Sequence, residues 1–403
     1  MTAEIVIINR QGVAMAADSI ATLTTATGGK TYSTANKLFA LSYNHSIGIM
    51  IHNNSFFMGL PWETLIHLYR EKVKNIKFST LGDCVESFVD FLETSGIWNT
   101  KVQIENAVRE FETYHENILK DMLDSVIKAY EKNPGLEFTR EEQIGIMEGR
   151  LEKLLKESEG SRNYERAYND FVNMHQQELD AICLDVYESI YSELKDSLNE
   201  LNKNYFNKTV DLYATGIVFS GFGDNDITPK VCSLKIDRLL CNKLAYVDEY
   251  GIKGCMDKAK IFPFAQREMV DAFVTGINPE FLYYIFQLID LNYPHHSEDF
   301  FSALKRHASD VYMDPIFTSL EYLGKTELAM MAETLVNLTS FKQKISDELE
   351  TVGGPIDVAV ISKGEGFVWI KRKYYFEKEI NPHFIAKYYK EERKSVEHGT
   401  KNL

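Results

Sequence analysis

Residues 101–210 carry no strand signal, although strand-type runs stand on both sides of them, and that interruption limits the folds open to the chain. Ahead of it, within residues 3–51, lie four short β-branched and apolar runs: AEIVIIN, GVAMAAD, NKLFAL and SIGIMI. Behind it come ATGIVFSGFG (214–223), PKVCSLKID, KLAYVDEY and KAKIFPFA, then GGPIDVAVIS (353–362) with GFVWIKR (366–372). Helical spacing fills the gaps between these blocks. Trp62, Leu65, Leu68 and Tyr69 form one apolar stripe, and Leu81, Val85, Phe88 and Leu92 a second. Further helices are predicted at 266–275, 279–292, 297–309 and 327–346. Strand blocks separated by helix pairs predict two packed antiparallel sheets flanked by helices, an α+β architecture rather than an alternating parallel one.

The interrupting stretch reads as three long helices. Ile104, Val108, Phe111, Ile118, Met122 and Val126 make one stripe, and Leu179, Ile182, Val186, Ile190, Leu194, Leu198 and Leu201 another. Asn133-Pro134-Gly135 and Glu159-Gly160-Ser161 mark its turns. With 14 Lys/Arg against 23 Asp/Glu, it holds −9 of the chain's net −15. The plain reading is a solvated, antiparallel helical arm; a docking surface for a basic partner is the alternative.

The acidic balance repels phosphate backbones and anionic membranes, so neither nucleic acid nor membrane is expected as a partner. No apolar run is long enough for a membrane span, and the first residues lack a signal-peptide pattern. Five scattered cysteines (84, 183, 232, 241 and 255) read as reduced thiols of a cytoplasmic protein. His295-His296 beside Glu298 and Asp299 reads as a surface loop rather than a metal site, and no cofactor is expected.

The chemistry-bearing feature is at the start. Thr2 follows the initiator Met and leads straight into a strand. Excision of that Met leaves an α-amine and a β-hydroxyl on one residue, a base and a nucleophile together. An α-amine titrates at about 7.7–8.0, which suits a base near neutral pH. Asp18, ending the second strand, and Lys37, opening the third, lie beside it if these strands are neighbours. The alternative roles are a turn-capping carboxylate for Asp18 and an edge-protecting lysine for Lys37.

Three stretches carry a resemblance: Thr2-Ala3-Glu4-Ile5-Val6-Ile7, Gly12 to Thr22 (GVAMAADSIAT), and Asn36-Lys37-Leu38-Phe39. Together they resemble the proteasome β-subunit family and its bacterial HslV-type peptidases, and Gly353 to Ile361 is similar to that family's last-but-one strand. The resemblance implies a four-layer αββα sandwich of two antiparallel sheets, here with an inserted α-helical arm. The resemblance covers roughly 2–98, 211–291 and 327–371; the expected domain takes 1–100 and 211–372, with a small helical addition near 292–326, an insertion at 101–210 and a tail at 373–403. It implies a threonine peptidase that cleaves peptide or unfolded protein through an ester on Thr2, with Lys37 and Asp18 as catalytic partners. Thr22 would present backbone groups to substrate, Met50 would line the pocket, and the His52 N–H would serve as oxyanion donor. It further implies homo-oligomeric rings, or an open assembly, and an ATP-dependent unfoldase or adaptor.

Departures from the family pattern leave alternatives open. The Asp18-to-Lys37 interval is about three residues longer, which Gly28-Gly29 in the hairpin can absorb. His52 stands where the family has glycine. Pro263-Phe264-Ala265-Gln266 replaces a serine-bearing turn, and Glu350 and Thr351 are out of register with a supporting acid–serine pair. A weakly active or inactive scaffold ring, or an amidase for non-peptide substrates, fits the same residues.

Overall fold

The computed structural model describes residues 2–25, 28–32, 35–158, 165–209, 214–256, 258–293, 297–346, 351–377 and 379–383. It is a mixed α+β structure with antiparallel sheets and helices. One five-stranded sheet has the order Lys260–Ala265, Ala3–Asn9, Gly12–Ala17, Asp357–Ser362, Gly366–Lys371. A second runs Lys243–Asp248, Lys230–Leu240, Thr215–Phe222, Ser46–His52, Leu38–Ala40.

The first strand, AEIVIIN, is buried along its whole length, which explains why its sequence is nearly continuous apolar residues instead of an alternation. Successive side chains still take opposite faces. Ala3, Ile5 and Ile7 join Ala14 and Ala16 against Leu328, Ala332 and Leu335 of helix Lys325–Ile345. Val6 and Ile8 join Val13, Met15, Leu38, Met50 and Val218 in the core shared with the second sheet. Pro263 has no N–H to donate and is confined to the outermost strand of its sheet, opposite Ile5. The Asn9 side chain ties the first hairpin down: its amide donates to the Leu320 and Leu323 carbonyls while its oxygen accepts from the Gln11 and Gly12 N–H groups.

Helix Trp62–Val73 buries Trp62, Leu65, Ile66, Tyr69 and Val73. Leu68, read from the sequence as part of that stripe, is exposed, and Ile66 takes the inward place. The cause is phase: three residues beyond Leu65 lies outside the stripe running 62, 66, 69, 73.

The chain separates into two compact units. One comprises Met1–Glu86, Gly216–Ser233 and Glu249–Leu403; the other comprises Ser87–Thr215 and Leu234–Asp248. The second unit includes the hairpin around residues 240–243. Its described helices are Thr100–Lys132, Arg140–Ser158, Glu165–Tyr187 and Tyr191–Thr209, four where the sequence reading expects three. The stripe from Leu179 to Leu201 is broken at Glu188, whose φ of 39° interrupts the helix. Phe111, Met122, Leu151, Phe171, Leu198 and Leu201 form the core of this unit. Tyr168 donates to Asp237 at 2.5 Å, and Arg238 pairs with Asp237 and Glu110, which holds the hairpin to the helices. Within the other unit, Lys373 bonds Asp357 through both its backbone N–H and its ammonium, so the start of the predicted tail is tied to the sheet.

Candidate functional site

Thr2 and Glu4 are two apart on an extended segment and share the face of Val6 and Ile8. The Thr2 hydroxyl donates to Glu4 Oε2 at 2.8 Å. Thr2 is held from the other side as well, its carbonyl accepting from the Gln266 N–H at 3.1 Å. Thr2 is 5% exposed and Glu4 2%.

Asp18 is brought here by the register of the first hairpin. Glu4 pairs with Ala17, and the Asp18 N–H donates to the Ala3 carbonyl at 3.2 Å. The carboxylate is filled by four donors. Oδ1 accepts from the Ala3 N–H at 3.2 Å and from the Lys37 ammonium at 2.5 Å. Oδ2 accepts from the Ile20 N–H at 3.2 Å and the Gly353 N–H at 2.9 Å. The Gly353-Gly354 pair makes that approach with φ of 151° and 72°, and the second value lies in the left-handed region that favours glycine. Gln343, at the end of its helix, fixes the preceding residues by accepting from the Thr351 N–H, Thr351 hydroxyl and Val352 N–H.

Lys37, 5% exposed, reaches in from just before strand Leu38–Ala40, and its carbonyl accepts from the Ile51 N–H. Its ammonium lies 2.5 Å from Asp18 and 3.5 Å from Glu4 Oε1. One cation therefore faces two buried carboxylates. The surplus is relieved at Glu4, whose pKa is pushed from 4.5 to about 8, chiefly because burial penalises its charged form. The neighbouring Asp18 charge adds to the rise, and Lys37 and the Thr2 hydroxyl oppose it.

The structure thus brings together Thr2, Asp18 and Lys37, all named from sequence, and adds Glu4, which was not. The available signal was an acid in an otherwise apolar strand, at the same-face spacing from Thr2. The other predicted residues sit nearby in the chain's register. Thr22 lies on strand Ala21–Thr25, opposite Thr31. Met50 is fully buried in the core between the sheets and pairs with Leu38. His52 pairs with Gly216, and its ring stacks 5.4 Å from Phe264. Pro263-Phe264-Ala265 lies beside strand Ala3–Asn9, with Ala265 opposite Ala3 and Phe264 opposite Glu4. His295, His296 and Glu350 lie outside the described residues, and among those described no His/Cys/Asp/Glu group is placed to hold a metal. A cavity of about 350 Å³ adjoins strand Leu38–Ala40, lined by Asn36, Leu38, Glu63, Arg70 and Arg372; Thr2, Asp18 and Lys37 are not among its walls. Among the described residues no helix is long and apolar enough to cross a membrane.

No protein-family model and no curated protein sequence matches the chain. Among solved structures it is similar to the Anbu (Gly-1) mutant from Hyphomicrobium sp. strain MC1. The identity is 8% and the TM-score 0.29, over 100% of this chain and 98% of that one. A likeness at that level carries no argument about function.

Proposed function

We propose that the chain is a proteasome-like N-terminal-threonine hydrolase acting on peptide bonds. The observation that carries the reading is one buried cluster: the Thr2 hydroxyl bonds Glu4, and the Lys37 ammonium faces both Glu4 and Asp18. Removal of Met1 frees the Thr2 α-amine as base. Thr2 Oγ1 gives up its proton and bonds the acyl carbon, and the amide C–N bond breaks as its nitrogen takes a proton. Water then cleaves the ester and restores the hydroxyl. Lys37 supplies positive charge beside the reacting oxygen, and Asp18, filled by backbone donors, fixes Lys37 in place. The His52 N–H is the oxyanion donor in this reading, and Thr22 and Met50 border the substrate.

The rest of the reading follows from the same assignment. The two sheets form the inner layers of an αββα sandwich, with Lys325–Ile345 on one outside and Trp62–Val73 on the other. Copies assemble into a ring or open array in the cytoplasm, fed with unfolded protein by a partner. A second reading, a scaffold with little catalysis, draws on the 5% exposure of Thr2.

The deciding experiment combines N-terminal mass with labelling by a hydrophobic β-lactone, which acylates activated threonine. The expected result is loss of Met1 and one adduct on Thr2, absent in Thr2→Ala. An unlabelled wild type, or equal labelling of both proteins, removes the hydrolase reading. Size measurement in solution tests the assembly, with a monomer as the contrary outcome.

A further inference from the structure

The two carboxylates beside Thr2 are not equivalent. Asp18 has no acceptor position left, since Ala3, Lys37, Ile20 and Gly353 fill both oxygens. Glu4 is open. Among the described residues its Oε2 accepts only the Thr2 hydroxyl, and its Oε1 has no hydrogen-bond partner, facing Lys37 at 3.5 Å. Among the described residues the charged groups around it are Lys37 and Asp18, to which the proposed reading adds the freed Thr2 α-amine; the flanking strand Lys260–Ala265 sets Phe264 opposite it. Of the two carboxylates, Glu4 is therefore the one with room for a proton, and it already touches the Thr2 hydroxyl.

We propose that Glu4 is a further catalytic residue, taking the Thr2 hydroxyl proton as Oγ1 attacks and so opening a route beside the α-amine. The proposal rests on the reading of Thr2 as nucleophile. As the Oγ1–C bond forms, the hydroxyl proton moves to Glu4 Oε2 and the carbonyl π pair moves to its oxygen. On collapse that pair re-forms the carbonyl, the C–N bond breaks, and Glu4 returns the proton to the leaving nitrogen. In hydrolysis of the ester, Glu4 takes the proton of water and passes it to Thr2 Oγ1. Because burial lifts Glu4 to about 8, the unprotonated, base-competent form grows in as pH rises towards and past that value.

The test follows β-lactone acylation of Thr2 by intact mass against pH, in wild type, Glu4→Gln and Glu4→Asp. Gln keeps the shape and an acceptor oxygen but takes no proton. The expected result is labelling about 10²-fold slower in Glu4→Gln, with only the α-amine's own rate rise left near pH 8, and partial recovery of the rate in Glu4→Asp. Wild-type rate and pH profile in Glu4→Gln overturn the role of Glu4 while leaving Thr2 as nucleophile. No labelling of the wild type at Thr2 overturns the hydrolase reading, and the role of Glu4 with it. Should Glu4→Gln not fold, protein retaining Met1 decides: its amine is locked in a peptide bond, so labelling that persists with the same pH rise supports Glu4. Labelling that disappears leaves the amine as the sole base and overturns the proposal.

Discussion

The His52 imidazole occupies the space that a side chain on Gly216 would need: a β-carbon there would lie 1.9 Å from His52 Nε2. The two residues are direct partners across adjacent strands. Gly216→Ala is therefore predicted to destabilise the protein by about 1–3 kcal/mol, the usual cost of overpacking. Removing the ring relieves the clash, so His52→Ala/Gly216→Ala should be more stable than Gly216→Ala alone. Denaturant unfolding of the cycle checks this, and additive losses would contradict it.

Glu4 makes stability fall as pH rises. In the native chain it keeps its proton to about pH 8, against 4.5 for the unperturbed carboxyl. Between those values the native state binds more protons than the unfolded one, so unfolding free energy declines across the window and levels above it. Glu4→Gln should flatten that slope, measured by urea unfolding at several pH values. An unchanged slope would mean that Glu4 does not titrate there.

Lys37 is the lone cation between two buried carboxylates in the described site. Lys37→Met should cost about 3–5 kcal/mol, because removing one partner leaves uncompensated buried charge. Glu4 keeps its proton to about pH 8, so adding Glu4→Gln should change little at about pH 7. A large recovery in the double variant, measured by urea unfolding, would mean that Glu4 is charged there.

In the helical unit, His115 is fully buried and bonds the Tyr187 hydroxyl at 3.0 Å. Burial lowers its pKa from 6.5 to about 4. The unfolded chain binds the extra proton between those values, so stability present above pH 6.5 is lost as the pH falls towards 4. His115→Phe should retain more helix on acidification, followed by far-ultraviolet circular dichroism. Identical acid curves would rule this out.

Much of this fold was legible because burial on both faces leaves a plain mark: runs such as AEIVIIN and GVAMAA have no solvated face to encode. Thr2, Asp18 and Lys37 were legible because each sits at a strand boundary, where polar residues stand out against apolar runs. Glu4 was not. A single acid inside an apolar strand carries no periodic signal, and its meaning depends on a lysine 33 positions away and on which face the hairpin register chooses. Leu68 misled for a local reason, one step of helical phase. The contact of the hairpin at 240–243 with the helices left no local mark, since it rests on Asp237 and Arg238 meeting Tyr168 and Glu110.

The bond from the Gly353 N–H to Asp18 closes an interval of 335 residues. Chains are made from the amino end, so the strand beside Thr2 leaves the ribosome well before its neighbour Lys260–Ala265. Strand Asp357–Ser362, which pairs with Gly12–Ala17, and the donor that completes Asp18 follow later still. A half-made chain holds Thr2 but lacks the surroundings that bury it. On the proposed reading, synthesis itself then acts as the safety catch, since Thr2 gains its setting only once these later strands are in place.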